Sequence, residues 1–522
     1  MSRTAKIVLV IALIILIGAG LVFWQFWPEK DNLSPTATAS KTGLFGTMLA
    51  FNINDAASGI PGKSDALQNG WTEFKKDNLV YESLKSNLEK IIQDHTKLVK
   101  TTGFAIDREL VPYFTWNVIE PQKGQFDWEL TDIYVKGASN AGVKISAVIQ
   151  PFASWDQKNT QVNSNCKALD FAYYDYKVGP PNDLAEYENF LTKTVERYKD
   201  NVAVWEIGNE YDGPCGGYQD NPQGYFDLLK TSSGVIKKAD PTAKVTNGGA
   251  SEVAGAGPGT DSTKNFWTKF FTLGGGQYID YFNFHYNTER SQSAKLDSTT
   301  FQEALTFLND LMDKSAQGGG GRKPLYLTEF GIYSGAPSQP ASIAAGPAQE
   351  QSPVTNQPVS PPTSTGQGPN GSQTGQASSP SSASRNLPNE SQESQATLYF
   401  KDSMIAFANG ADFVFIDLIG SGNDVVGSSM AFNTDGQPRP FLTTLKTITS
   451  EVSGFSKVEK IAEGQYKFTV GGKTVYALWS GTLPSKISGK VRVTDIKGQE
   501  QTMDAAEIKL SADQPILIEL QK

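Results

Sequence analysis

Two apolar runs in this chain end in a carboxylate: VAVWEIGNEYDGP (Val202 to Pro214), which carries Glu210, and PLYLTEFG (Pro324 to Gly331), which carries Glu329. Runs of that length and composition are strands buried on both faces, so a side chain at the end stands at the rim of the sheet. Two rim carboxylates can divide acid and nucleophile work between them. One keeps a proton for a leaving oxygen, the other is ionised and attacks an anomeric carbon, and retaining glycosidases hold such a pair about 5 to 5.5 Å apart. Glu206 lies two residues before Gly208 and shares a face with Gly208 and Glu210 if the strand stays regular, which places it behind the pair.

The elements that must position these residues follow from the pattern. Eight apolar segments read as strands: 47–51, 105–114, 143–150, 202–208, 244–247, 281–285, 324–330 and 413–417. Helical stretches separate them, among them 75–100, 127–140, 184–200, 301–314 and 392–409. Eight βα units predict an α/β fold, a (β/α)8 TIM barrel over residues 44–453, with strands four and seven facing each other across its axis. An open doubly wound sheet fits less well, because no Gly-rich phosphate loop follows the first strand. Residues 335–388 are rich in Ser, Pro, Gly, Gln and Thr with no aromatic residue and only Glu350 and Arg385 as charges, and so predict a disordered insert on the barrel rim after strand seven. From 454 to 522 the period changes to two, and hairpin signals such as Gly471-Gly472 predict a small β-sandwich-like domain.

The order of FTWNVIEPQKGQFDWELTD (Phe114 to Asp132), WEIGNE with Asn209-Glu210, HYN at strand six and TEFG with Glu329 resembles the clan A retaining glycoside hydrolases over roughly residues 44–450. The resemblance implies Glu210 as acid/base, Glu329 as nucleophile, and Asn209 as the holder of a sugar 2-hydroxyl. It also implies His285 as a site histidine and Tyr286 as a hydroxyl that bonds the nucleophile. Trp116 and Trp155 are candidates for sugar-stacking surfaces, with Tyr211 and Asp212 as further walls. Glu120 precedes a proline and reads as structural, and His95 continues the apolar stripe of the first helix. Two departures stand out. Many members carry Arg where this chain has Leu110, although Arg108 lies one pleat away on the same face, and FVFIDLIG (Phe413 to Gly420) lacks the platform Trp of strand eight.

Composition narrows the alternatives. Formal net charge is −9, which argues against nucleic acid as a partner. Two histidines, His95 and His285, and two cysteines, Cys166 and Cys215, exclude Cys/His zinc modules and iron–sulfur clusters, so no metal and no cofactor is expected. The cysteines follow strands three and four, whose loops are neighbours, and are expected to form a disulfide. The expected partner is a glycoside or polysaccharide substrate. The rival readings are a barrel that binds carbohydrate but has lost turnover, and a surface scaffold that binds protein.

Residues 7–27 are an uncharged apolar run long enough to cross a bilayer; residues 1–6 with Arg3 and Lys6 precede it, and Trp24 and Trp27 close it. A transmembrane helix is expected, with residues 28–43 as a linker and the barrel on the outside of the cell membrane. Protease added to intact cells is then expected to release a fragment that begins near residues 31–43. A soluble protein with a new N-terminus just after residue 39 would mean a cleaved signal peptide instead.

Overall fold

The computed structural model describes residues 45–49, 78–109, 113–157, 179–213, 216–251, 260–287, 298–315, 321–332, 391–416, 431–432 and 437–520. The expected anchor at 7–27, the linker, the insert at 335–388 and both cysteines, Cys166 and Cys215, lie outside the described residues. Among those described, no helix is long and apolar enough to cross a membrane.

Eight parallel strands make the barrel: β1 (Phe45–Leu49), β2 (Ile106–Glu109), β3 (Lys144–Ile149), β4 (Val202–Ile207), β5 (Val245–Asn247), β6 (Phe282–Asn287), β7 (Leu325–Gly331) and β8 (Ala411–Ile416). Their spatial order is β5-β4-β3-β2-β1-β8-β7-β6. The gap between β5 and β6 is closed by short parallel bridges, Thr246 to Tyr281 and Ala250 to Phe284. Side chains finish that seam: Asn283 N–H donates to Asn247 Oδ1 at 2.8 Å, and Asn247 Nδ2 donates to the Asn283 carbonyl at 2.7 Å. The second strand is shorter than the expected 105–114, and the chain resumes helical geometry by Trp116.

The helices are α1 (Asn78–Thr101), α2 (Trp116–Ile119), α3 (Glu129–Ala141), α4 (Leu184–Tyr198), α5 (Pro222–Ala239), α6 (Thr260–Thr272), α7 (Thr299–Ser315), α8 (Gln392–Ala408) and α9 (Pro440–Val452). Their ends follow local chemistry. Asp183 caps α4 by accepting from Glu186 N–H, Asn221 caps α5 from Gly224 N–H with Pro222 in the first turn, and Gly142 closes α3 in the left-handed region. His95, on α1, is buried and meets Asp107 of β2 at 2.9 Å, so the helix stripe carries a polar tie as well as packing.

The barrel interior is layered. At its floor Ile106, Val204, Tyr326 and Phe415 form an apolar plug from four strands. Two residues further along β2 and β4 the same face carries Arg108 and Glu206, because side chains of a strand return to one face every second residue. Chemistry is thus lifted onto a dry base.

The C-terminal part corrects one expectation. It is one six-stranded antiparallel sheet, in the order β13-β12-β14-β11-β10-β9, and not a sandwich. Its strands are β9 (Phe455–Ala462), β10 (Gln465–Val470), β11 (Lys473–Leu478), β12 (Lys490–Asp495), β13 (Glu500–Asp504) and β14 (Ile516–Leu520). The barrel's own helices take the place of a second sheet: Phe455 packs on Phe407 of α8 and Trp479 on Phe400, with ring centroids 5.8 and 6.1 Å apart. The opposite face is covered by loops that bring Ile487 and Ala505 onto Tyr476, Leu478 and Ile518.

Glu109 on β2 makes a prediction about stability. It is fully buried, its Oε1 accepts from Val148 N–H at 3.0 Å, and its Oε2 has no partner among the described residues. Burial pushes the carboxyl up from 4.5 to about 8. The folded protein therefore holds a proton that the unfolded chain has released between those values, and stability falls as pH rises through that window. Glu109→Gln stays neutral throughout. Thermal unfolding is expected to match the parent near pH 4.5 and to exceed it above pH 8.

Candidate active site

The site stands on Arg108. Its Nε donates to both oxygens of Glu206 at 3.1 and 3.0 Å, its Nη1 to Glu329 Oε1 at 3.1 Å, and its Nη2 to Asn209 Oδ1 at 2.6 Å. Burial alone would discharge it, but the carboxylates of Glu206 and Glu329 outweigh that and raise its pKa, so the guanidinium remains charged. Glu206 is tied further by Ser146 Oγ at 2.7 Å and Asn283 Nδ2 at 3.0 Å, and Tyr326 donates to Ser146 from the floor. The pleat mate of Leu110 is thus the barrel's interior arginine.

Glu210 reaches the rim by leaving strand geometry. Gly208 has φ of 82° and Glu210 itself φ of 49°, in the left-handed region that a non-glycine residue rarely enters. The turn is over-determined: Glu210 N–H donates to the Gly248 carbonyl at 2.7 Å, Gly213 N–H returns to the Glu210 carbonyl at 2.9 Å, and a Cβ on Gly208 would strike the Tyr211 ring at 2.4 Å. The regular strand needed to keep Glu206, Gly208 and Glu210 on one face is absent. Glu206 instead points inward to Arg108 while the bend carries Glu210 above it.

His285, at the end of β6, joins the two rim carboxylates. Its Nδ1 is 2.9 Å from Glu210 Oε1 and 3.5 Å from Glu329 Oε2. One atom from each of Glu210, His285 and Glu329 falls within 4.8 Å of the others. These are also donors near enough to ligate a cation, although Arg108 already supplies positive charge at Glu329. Glu210 is the more open carboxylate, its side chain 20% exposed against 9% for Glu329.

Other sequence-derived residues take different places. Asn209 gives its oxygen to Arg108, which leaves the amide hydrogens of Nδ2 as the groups it can offer. Tyr286 points to the helix layer, where its ring packs on Phe301 of α7 and on Phe330. Period-two alternation accounts for that: if His285 faces the barrel, its neighbour faces outward. Trp116 is fully buried among Trp155, Tyr187 and Phe190, with its Nε1 on Glu120 Oε2 at 2.7 Å. Trp155 is half-buried, its Nε1 on the Glu120 carbonyl at 2.8 Å. Tyr211 is buried with its hydroxyl on Gln150 Oε1, and Asp212 is buried too. Asp212 receives Trp267 Nε1–H, Ser251 N–H and the Ser251 hydroxyl, so it fastens the bend after β4 to β5 and α6. Burial pushes Asp212 up to about 7, the donors from Trp267 and Ser251 pull it down, and the charge of Glu210 adds to the rise. Asn283, Thr328 and Ser146 are site residues that the sequence pattern did not single out.

Comparisons with known proteins bear on the chain's fold and its relatives. The family model for glycoside hydrolase family 42, described as beta-galactosidase, matches residues 84–239. Beta-galactosidase LacZ of Lactobacillus acidophilus is 28% identical over 154 residues, which cover 25% of this chain and 22% of that relative. A family 39 glycoside hydrolase from Bacteroides cellulosilyticus superposes with a TM-score of 0.52 at 15% identity, covering 82% of this chain and 78% of that one. A monomeric beta-xylosidase from Caulobacter crescentus gives 0.51 at 12% identity, with 92% and 97% covered. At those identities the structural likeness speaks for the fold. The motif order, the family model and the fold agree on the clan A (β/α)8 glycoside hydrolases, with more than one family of the clan represented.

Removing Arg108 would strand Glu206, which has no solvent exposure. Arg108→Ala is therefore expected to cost about 3–5 kcal/mol of stability, the usual penalty for leaving a buried charge unpaired. Urea unfolding reads it; a loss below about 1 kcal/mol would mean that Glu206 relaxes without its partner.

Proposed function

We propose that this chain is a retaining glycosidase that cleaves β-glycosidic bonds by double displacement, with Glu329 as nucleophile and Glu210 as acid/base. The observation that carries the reading is the pair of rim carboxylates from facing strands, which present oxygens within 4.8 Å of each other above the barrel axis. That closeness suits direct attack with a covalent intermediate, for which the carboxyls stand about 5 to 5.5 Å apart, better than the wider spacing of about 6.5 to 9.5 Å that inversion uses.

Each group has a part. Arg108 binds one oxygen of Glu329 and fixes the carboxylate so that it faces the anomeric carbon. Glu329 displaces the leaving group while Glu210 gives its proton to the departing oxygen. Glu210 then takes a proton from water, which attacks the same carbon and releases Glu329. Asn209, its oxygen held by Arg108, offers Nδ2–H to the sugar 2-hydroxyl, a contact that gains strength as charge develops at the ring. The relatives' names include beta-galactosidase and beta-xylosidase, so β-galactosides and β-xylosides are the first substrates for this chain to be offered. We further infer that residues 7–27 anchor the enzyme in the cell membrane with the barrel outside, a reading supported by the uncharged run between Lys6 and Trp27.

A 2-deoxy-2-fluoro glycoside with a reactive leaving group is expected to inactivate the enzyme and leave its sugar on the peptide that contains Glu329. Glu329→Gln should lower kcat on the order of 10³-fold or more with little change in fold, as the loss of a nucleophile does. A label on another residue, or turnover that survives in Glu329→Gln, would overturn the assignment.

A further inference from the structure

Hydrogen-bond bookkeeping around His285 goes beyond the pair of carboxylates. Asn283 Nδ2 faces two acceptors, Glu206 Oε2 at 3.0 Å and the Asn247 carbonyl at 3.2 Å. Turning the amide over would set its oxygen against both, so the orientation is fixed and Asn283 Oδ1 points to Thr328. Thr328 has one hydroxyl hydrogen, and it goes to Asn283 Oδ1 at 2.7 Å. Thr328 Oγ1 lies 3.0 Å from His285 Nε2 and, its hydrogen already given, can only accept there, so Nε2 must carry a hydrogen. Gly249 lets the backbone approach the ring edge: a Cβ there would lie 2.0 Å from Nε2.

With Nε2 protonated, a neutral His285 presents a lone pair at Nδ1, and that lone pair faces Glu210 Oε1 at 2.9 Å. Two bare acceptors do not meet at that distance. One proton belongs between them, on Glu210 with the imidazole neutral or on Nδ1 with Glu210 ionised. The charged groups that surround the pair are the same in both cases: Glu329 from β7 at 3.5 Å, and behind it Arg108 from β2 and Glu206 from β4. The side that faces β5 contributes backbone from Gly249 and Ala250, whose carbonyl receives His285 N–H.

We propose that Thr328, set by Asn283, is a positioning residue that locks His285 as the Nε2–H tautomer, so that Glu210 and His285 Nδ1 share the single proton delivered to the leaving group. The proposal rests on the glycosidase reading for its consequence and on hydrogen bonds alone for the tautomer. In the first step the shared proton goes to the glycosidic oxygen, the O–C1 bond breaks and Glu329 bonds to C1. In the second step a water proton returns to the Glu210–His285 pair as its oxygen bonds to C1 and Glu329 leaves. No other co-reactant is consumed. If Thr328 could not accept, His285 would be free to hold its hydrogen at Nδ1 and donate to an ionised Glu210, and the first step would lose its proton.

Because the chain has two histidines, imidazole nitrogen spectra of the full-length protein labelled at histidine resolve His285 directly, with His285→Gln used to identify its signals. The expected result is a protonated Nε2 in the parent across the pH range of activity, and its loss in Thr328→Val. On aryl glycosides Thr328→Val should lose about 10- to 100-fold in kcat/KM for a poor leaving group, the scale seen when an orienting partner is removed, and far less for dinitrophenol. Thr328→Ser should restore both. A neutral parent imidazole with its hydrogen on Nδ1, or equal losses for good and poor leaving groups, would overturn the lock. An Nε2–H imidazole in a parent that turns over no glycoside would support the lock and overturn the glycosidase reading.

Discussion

The Arg108 guanidinium is enclosed by the barrel, and the carboxylates of Glu206 and Glu329 above the apolar floor depend on it for balance. It gives one edge to Glu206, one hydrogen to Glu329 and one to Asn209. Three strands that are far apart in sequence thereby meet at one cation. A buried pair of this sort adds little net stability against an apolar core, yet it is costly to break and it fixes geometry. That trade suits a site whose reacting groups must hold their positions to a fraction of an ångström.

The same economy runs round the barrel to its closing seam. Asn247 and Asn283 stitch β5 to β6, where strand pairing is thinnest. Asn283 also holds Glu206 below and Thr328 beside it, and Thr328 holds His285. Closure of the barrel and orientation of the site histidine are therefore one network. The bend after β4 is fastened separately, through Asp212 to Trp267 and Ser251, so the strained Glu210 backbone is braced from the β5 side as well.

Much of this was legible in the sequence because its signals are local. Glu210 and Glu329 announce themselves as carboxylates at the ends of apolar runs, and eight such runs separated by helical stretches specify the barrel. Arg108 could be placed by the pleat. Thr328 faces the interior by alternation from Tyr326 of the floor, which would turn Glu329 outward; that both face the site goes with the register shift between Leu327 and Phe330, which the sequence does not show. Glu210 was assigned to the rim correctly in position, but a regular strand was the wrong route, since the left-handed turns at Gly208 and Glu210 are set by tertiary contacts. Tyr286 and Trp116 show the opposite limit: the first was expected to bond the nucleophile through its hydroxyl and the second to offer a sugar surface, while the helix layer claims both rings. The sheet at the C-terminus read as a sandwich because period-two alternation reveals a buried face without saying what buries it.

The stereochemistry of the first product tests the central claim most directly. An aryl β-glycoside cleaved by the full chain in deuterated buffer, followed by proton NMR from the first minute, is predicted to release the β-anomer of the sugar before mutarotation brings in the α-anomer. Initial release of the α-anomer would contradict the account, because it would mean a single displacement by water in place of a covalent glycosyl-enzyme.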